Sequence, residues 1–192
     1  TEGQARHLLD GITVRILRQG DLVDLEVRSM QRNLPLPDLE VTMPRSLRET
    51  AISTLAGGII VQDLTGSVDA ETGGGRIEIG SVGGSLGVRT GGGEIRIGRV
   101  GGVLRAVTAG GPIHAKRTAG EAWFTTGGGE IRVTNSHLAG SVTTGGGAIK
   151  LDGVSGGLTG SSGSGPIIHT DEEEKPIKEG DGDGAGAPHV EA

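Results

Sequence analysis

The fold is decided by a stretch of 18 residues, TGGGRIEIGSVGGSLGVR, at positions 72–89. The same pattern returns at intervals of 18 residues along the chain. Five units open with Thr-Gly-Gly-Gly or Thr-Ala-Gly-Gly, at Thr72, Thr90, Thr108, Thr126 and Thr144. Extending the frame adds units at Thr54 and Ser162, which makes seven units up to about residue 170. Tandem repeats of this length are typical of solenoids, in which each repeat forms one coil.

Apolar residues recur at fixed positions of the repeat. The sixth position is always isoleucine, namely Ile59, Ile77, Ile95, Ile113, Ile131, Ile149 and Ile167. Positions 6 and 8, and again 15 and 17, are mostly apolar and two residues apart, which is the period of a β-strand with one buried face. The sequence therefore predicts an all-β fold, a single parallel β-solenoid (β-helix) of about 18 residues per coil and roughly seven to eight coils, with layers about 4.8 Å apart.

Glycine and aromatic residues support a narrow solenoid. Glycine accounts for 39 of 192 residues, and a corner repeated in every layer needs it either for positive φ or for close approach of backbones. The chain has no tyrosine and only two aromatic residues, Trp123 and Phe124. Phe124 falls at an inward position, and its unit holds the small residues Ala115, Thr118 and Ala122 where other units hold larger ones. Phe124 should thus be buried, and Trp123 should point outward.

The two ends of the chain differ from the repeats. Residues 1–37 are expected to form an N-terminal cap, a β-hairpin of alternating residues around 12–16 and 23–27 followed by a loop. The solenoid is assigned to residues 38–170, with 38–53 as a degenerate first coil. Residues 171–192 form an acidic, glycine-rich tail, for which disorder is predicted. Within the solenoid, residues 134–137 disturb the pattern, and a local bulge of two residues is expected there.

The charge is concentrated in the tail. The chain has 24 acidic and 18 basic residues, and the segment from Asp171 onward holds eight of the acids and two of the bases. Residues 1–170 are therefore formally neutral, which argues against nucleic acid as the main partner. No apolar run reaches the roughly 18 residues of a spanning helix, so no membrane insertion is predicted for this chain. On the outer face, Arg76 is expected to pair with Glu94 of the next layer, and Glu78 with Arg96.

No residue pattern indicates catalysis, a cofactor or a metal. The chain lacks cysteine, and the five histidines, His7, His114, His137, His169 and His189, do not converge on one coil face. Residues 179–184 resemble the start of an EF-hand loop, but position 12 of that loop would be Val190 instead of glutamate. The glycine turns lack the Lys-Ser/Thr and the helix of a P-loop. The threonines that open each unit have the spacing of ice-binding solenoids, but they stand beside a corner, where hydrogen bonding within the turn is expected.

The whole pattern resembles a bacterial adhesin-like family of glycine-rich β-strand-repeat domains of unknown function. The resemblance rests on the run Leu39-Glu-Val-Thr-Met-Pro44 and the repeated Thr-Gly-Gly-Gly-x-Ile-x-Ile-x-x-Val-Gly-Gly-x-Leu-x-Val, and it covers about residues 12–170. The units of this chain are unusually regular, and the acidic tail lies outside the family pattern. The resemblance implies an extracytoplasmic location, periplasmic or at the cell surface, with attachment through an upstream signal or anchor.

Two functional hypotheses follow from these observations. The first is a non-enzymatic structural or adhesion domain that binds a protein or a glycan along one solenoid face. The second is a self-assembling scaffold that stacks coils end to end, as the bactofilins do. For the first, Trp123 is the candidate interaction residue, because exposed tryptophan is favoured in interfaces. The alternative for Trp123 is that residues 134–138 or the N-terminal hairpin cover it.

Overall fold

The structure, a computed structural model, describes residues 3–9, 12–19, 22–29 and 44–170. These residues form sixteen β-strands, and no helix occurs among them. The strands are β1 (Gly3–Leu9), β2 (Ile12–Gln19), β3 (Leu22–Ser29), β4 (Glu49–Thr54), β5 (Ile59–Val61), β6 (Ser67–Thr72), β7 (Ile77–Val82), β8 (Leu86–Thr90), β9 (Ile95–Val100), β10 (Leu104–Thr108), β11 (Ile113–Lys116), β12 (Ala119–Thr126), β13 (Ile131–Thr144), β14 (Ile149–Ser155), β15 (Leu158–Ser162) and β16 (Ile167–Thr170).

The strands after residue 48 alternate between two parallel stacks, which we name after a residue of each. The isoleucine sheet runs β5, β7, β9, β11, the first part of β13, β14 and β16. The tryptophan sheet runs β4, β6, β8, β10, β12, the second part of β13 and β15. Each coil contributes one segment to each sheet, so the chain is a parallel β-solenoid of about seven turns, as the sequence predicts.

The register between coils is 18 residues, and it aligns identical side chains. Ile77 pairs with Ile95, Ile95 with Ile113, and the column continues through Ile131 to Ile149. All five are completely buried and belong to one core cluster that also takes in the inward residues of the tryptophan sheet. The predicted isoleucine column is thus confirmed. A single coil could not bury these side chains alone, because their burial needs the neighbouring coils and the opposite sheet.

The N-terminal hairpin extends one of the two sheets. β2 and β3 are antiparallel, as predicted, and β1 adds a third strand that the sequence pattern did not indicate. β3 then pairs with β4 in parallel, so the three strands continue the tryptophan sheet beside the first coil. Residues 38–43 of the expected first coil and the tail 171–192 lie outside the described residues.

The bulge expected at residues 134–137 is wrong. β13 keeps the 18-residue register with β12 on one side and with β14 and β15 on the other. The coil instead exchanges the roles of two positions: Leu138 is buried where other coils have glycine, and Gly140 stands where others bury a larger residue. The apolar volume is moved by two residues along the strand, so no insertion is needed.

Small neighbours accompany the one phenylalanine of the core. Phe124 is completely buried, and Ala115, Thr118 and Ala122 of the same coil are buried with it. Thr118 and the buried Ser136 of the next coil hydrogen-bond to each other through their hydroxyls at 3.1 Å. The volume compensation predicted for this coil is confirmed, and its two core hydroxyls are partnered as burial requires.

Close backbone approach explains the glycines at the threonine–glycine corner, which comprises positions 1–5 of each unit. A Cβ on Gly91 would collide with the carbonyl oxygen of Gly73 in the coil below, and one on Gly93 with that of Gly75. A Cβ on the middle residue, Gly92, would meet nothing within 4 Å. None of these three glycines has φ in the left-handed range. Of the two roles considered for glycine, the spacing of the coils is therefore the one that applies here.

Candidate functional site

Trp123 lies on the outer surface of the tryptophan sheet. It belongs to β12, where Ala122 and Phe124 are buried and Trp123 between them is half-buried. This alternation follows from the strand, because neighbouring side chains point to opposite faces. Trp123 is the bulkiest side chain of this outer surface, and its position agrees with the predicted orientation.

An arginine stacks on the indole from the preceding coil. Arg105 pairs in register with Trp123, and its guanidinium carbon lies 4.9 Å from the centroid of the ring. That distance is within the range of a cation–π contact, worth about 0.5–1 kcal/mol at an exposed site. Trp123 is followed in the next coil by the much smaller Ser141. One side of the ring is thus supported by Arg105, and the other faces a small polar residue.

The residues around Trp123 combine apolar and hydroxyl groups. Val103 is 37% exposed and Val107 is half-buried, both one coil below the tryptophan. Toward the C-terminal end of the same sheet, hydroxyl side chains take over the outward positions, namely Thr125, Ser141, Thr143, Thr159 and Ser161. The surface carries both apolar side chains and hydrogen-bonding groups, which is typical of an interaction surface.

The charges on the tryptophan sheet are not paired with each other. Arg89 and Arg105 are exposed and form no ion pair with any residue that the structure describes, although Glu71 is the register partner of Arg89. Glu121, two residues before the tryptophan, is also exposed without such a pair. These side chains therefore remain available to a ligand.

The isoleucine sheet differs, because the charged side chains at positions 5 and 7 of its coils pair with one another. Arg96 donates to Glu94 at 2.7 Å, Arg132 to Glu130 at 3.1 Å, and Lys150 to Glu130 at 2.8 Å. The hydrogen bond from Lys150 holds the pKa of Glu130 below its usual range. The hydrogen bond to Glu94 raises the pKa of Arg96 above its usual range.

The ion pairs join positions different from those expected. Instead of Arg76 with Glu94 and Glu78 with Arg96, Glu94 pairs with Arg96 and Arg76 approaches Glu78 at 4.0 Å, each within one coil. Two residues that are two positions apart on one strand lie on the same face, which brings their charged ends together as readily as stacking does.

The threonine column is part of the corner. The Thr90 hydroxyl donates to the carbonyl oxygen of Gly75 at 2.9 Å and accepts the N–H of Gly93 at 3.2 Å. The same two bonds recur at Thr72, Thr108, Thr126 and Thr144, all of which are buried. The expected hydrogen bonding within the turn is confirmed, and these buried hydroxyls are not an exposed ice-binding face.

The histidines that the structure describes lie apart. His114 is 3.8 Å from Glu94 on the isoleucine sheet, whereas His137 shares a hydrogen bond of 2.8 Å with Ser155 on the opposite corner. His169 contacts the carbonyl oxygen of Val154 at 3.0 Å. Within residues 44–170, no three side chains of His, Cys, Asp or Glu are arranged to hold a metal ion. The EF-hand-like segment 179–184 lies outside the described chain.

Neither of the two expected covers lies over Trp123 among the described residues. Residues 134–138 run within β13 in regular register with the neighbouring coils. The hairpin strand β3 is separated from β12 by four strands, β4, β6, β8 and β10. Trp123 as the candidate interaction residue stays a prediction, since half-burial alone does not define a ligand.

Comparison of the chain with protein-family models, with curated proteins and with solved structures finds no match in any of the three. The resemblance to the adhesin-like family therefore stays an expectation from the sequence. The described part of the chain also contains no helix that is long and apolar enough to cross a membrane.

The sequence analysis did not identify Arg105 as a partner of Trp123. Arg105 precedes Trp123 by 18 residues and Ser141 follows it by 18, so the repeat frame already placed both beside the ring. The repeat frame was applied to the inward columns and to the outward charges at positions 5 and 7, but the position one coil before Trp123 was not assigned to Arg105. The 18-residue repeat could not predict that Arg89 and Arg105 form no ion pair with a described residue. It places Glu71 next to Arg89, which would suggest that those two residues pair.

Proposed function

We propose that this chain is a non-enzymatic structural domain that binds a protein or a glycan through the outer surface of its tryptophan sheet. The proposal rests mainly on one observation, the half-buried Trp123 on the tryptophan sheet with Arg105 stacked on it at 4.9 Å. Aromatic and arginine side chains are the residue types that dominate binding energy in interfaces. The resemblance to extracytoplasmic adhesin-like domains supports a periplasmic or cell-surface location.

The contrast between the two sheets favours this surface over the other. The isoleucine sheet neutralises Glu94 and Glu130 with its own cations, whereas Arg89 and Arg105 have no acidic partner among the described residues. Side chains that are already paired gain little from a ligand, since their hydrogen bonds must first be broken. The unpaired donors of the tryptophan sheet can be used without that cost.

The test is a binding screen with the purified chain against glycan and cell-envelope protein arrays, repeated with Trp123→Ala. The expected result is a specific hit that Trp123→Ala weakens at least about tenfold, while the circular dichroism spectrum and melting temperature stay unchanged. His114→Ala, at a half-exposed site on the isoleucine sheet, is the matched control and should bind normally. A blue-shifted tryptophan emission that acrylamide does not quench would show that the indole is inaccessible, and the proposal would fail.

A second candidate is self-association through the last coil. Ile167 is 50% and Ile168 is 44% exposed, at the end of the stack, where the described chain adds no further layer. The other end carries β1, β2 and β3 on one sheet only, so the two ends differ in shape and an open head-to-tail filament is disfavoured. Sedimentation should then show a concentration-dependent dimer that Ile168→Lys abolishes; a monomer at all concentrations would exclude this candidate.

A further inference from the structure

A basic cluster lies on the second corner, the side of the solenoid where the isoleucine sheet turns into the tryptophan sheet. It consists of Arg99, Lys116 and Arg117, all exposed. Lys116 and Arg117 are consecutive, and Arg99 precedes Arg117 by one 18-residue coil. None of the three forms an ion pair with a residue that the structure describes, whereas Arg96, on the same strand as Arg99, and Arg132 both do. The fold therefore presents three like charges side by side without a counter-charge.

The backbone of Arg117 is unfavourable for arginine. Its φ is 54°, in the left-handed range, and the equivalent residues of the next two coils are Asn135 with φ 49° and Gly153 with φ 59°. Asparagine and glycine tolerate this conformation, whereas other side chains pay about 1 kcal/mol or more for it. An arginine held there without a partner inside the fold suggests that its charge is used for a contact outside residues 44–170.

The acidic segment of the same chain begins after Thr170, which lies in the same column as Lys116 of this cluster. Thr170, the last described residue, pairs with Asp152, which pairs with Thr134, which pairs with Lys116. Lys116 thus lies three layers below the point where the tail begins, a distance of about 14 Å at 4.8 Å per layer. The tail opens with Asp171, Glu172, Glu173 and Glu174, and four extended residues span up to about 13 Å.

We propose that the acidic segment that begins at Asp171 folds back along the second corner and binds the cluster of Arg99, Lys116 and Arg117. The charges are complementary, because residues 171–192 carry eight acids and two bases, while residues 1–170 are formally neutral. Tethering raises the effective concentration of the acids at the cluster to the millimolar range, and several weak, exposed ion pairs can then form together. The half-buried Asp152 and the exposed His137 are the other ionisable side chains on this route.

The contact can be measured by paramagnetic relaxation, since the chain has no cysteine of its own. A nitroxide is attached to Gly180→Cys in the tail of the full chain, and amide signals are recorded with uniform ¹⁵N labelling. At low salt the amides of residues 99, 116 and 117 should be broadened several-fold more than those of residues 89 and 105 on the tryptophan sheet. In about 1 M salt, where the Debye length is about 3 Å, this difference should vanish.

Two sets of variants separate the proposal from its alternatives. Arg99→Gln, Lys116→Gln and Arg117→Gln combined should remove the broadening, whereas the control pair Arg89→Gln and Arg105→Gln should leave it intact. Glu172→Gln, Glu173→Gln and Glu174→Gln combined should remove it without changing any described residue, which covers the case that the basic variant folds poorly. Equal broadening at residues 89 and 105, or broadening that survives both triple variants, would overturn the proposal. Broadening of a ¹⁵N-labelled chain by a separate, spin-labelled chain would also overturn it, because the tail would then bind a second copy.

Discussion

The two corners of the solenoid differ in how the backbone makes the turn from one sheet to the other. At the threonine–glycine corner, each of five coils uses the same buried threonine with the same two hydrogen bonds. At the second corner, the backbone changes along the stack. It lacks left-handed residues at 83–85 and 101–103, but in the next three coils it contains Arg117, Gly120, Asn135, Gly153 and Gly156 with positive φ.

The difference shows how constraint is distributed in this molecule. At the threonine–glycine corner, a Cβ on the fourth residue of the unit, such as Gly93, would collide with the backbone of the coil below, and every unit has glycine there. The second corner is also tight in the early coils, where a Cβ on Gly83 or Gly101 would collide with backbone. The later coils nevertheless accept Lys116, Arg117 and the hydrogen-bonded pair of His137 and Ser155, so the second corner varies more from coil to coil in sequence and backbone.

The largest expected effect comes from adding one methyl group to the tight corner. Gly93→Ala should lower the free energy of unfolding by more than about 3 kcal/mol, because the new Cβ would collide with backbone that cannot move away without separating two coils. Gly92→Ala is the matched control, since the adjacent position is open, and it should be neutral or stabilising by up to about 1 kcal/mol. Urea denaturation of both variants checks this; similar losses would mean that the two positions are equally crowded.

The buried threonine should be the next most sensitive element. Thr108→Val leaves the carbonyl oxygen of Gly93 and the N–H of Gly111 without their partner, and a loss of about 1–3 kcal/mol is expected. Thr125→Val removes an exposed hydroxyl from the outer surface and should change stability by less than about 0.5 kcal/mol. Thermal melts of the two variants give the comparison. A harmless Thr108→Val would show that the threonine is not what stabilises this corner.

At the second corner a substitution is expected to stabilise the fold. Arg117→Asn places at φ 54° a residue type that the next coil already uses there, and it should raise the free energy of unfolding by up to about 1 kcal/mol. The measurement belongs in high salt, where contacts of the arginine charge are screened. Destabilisation under those conditions would indicate that the arginine side chain supports the corner by packing.

The smallest effect should come from the charges on the isoleucine sheet. The pKa of Glu130 is lowered in the folded state, so its contribution is present above the ordinary glutamate pKa of about 4.3 and is lost as the pH falls through the folded value. Relative to the wild type, Glu130→Gln should cost under about 1 kcal/mol at neutral pH and nothing near pH 2. A larger loss would mean that these ion pairs, as well as the corners, fix the register.

The repeat frame predicted most of the architecture because burial leaves few alternatives. Ile95 and its equivalents must all face the core, and a shift of one residue in the register between coils would turn the entire isoleucine column to solvent. The strand β1 was missed because Gly3–Leu9 has little apolar alternation, and its pairing depends on the neighbouring β2. The false bulge came from reading residues 134–138 against the consensus, although Leu138 and Gly140 compensate for each other only in three dimensions.

The candidate surface was predicted only in part. Alternation alone placed Trp123 outward, and the repeat frame contains its neighbours Arg105 and Ser141. The repeat frame did not predict which charged side chains form ion pairs. Glu94 pairs with Arg96 of its own coil, whereas Arg89 forms no ion pair with its register partner Glu71. The rotamer of a long exposed side chain depends on which of several nearby partners it contacts, and the repeat pattern of the sequence does not indicate that choice.

The sequence by itself determined the period of the coil, the inward columns, the buried Phe124 and the outward Trp123, because each follows from alternation and an 18-residue repeat. Tertiary structure alone decided why Gly93 cannot carry a side chain while Gly92 can, and where Arg117 enters the left-handed region. Those features depend on how closely two backbones approach across a layer. That distance is set by all the hydrogen bonds between the stacked coils together, so the sequence of a single repeat does not determine it.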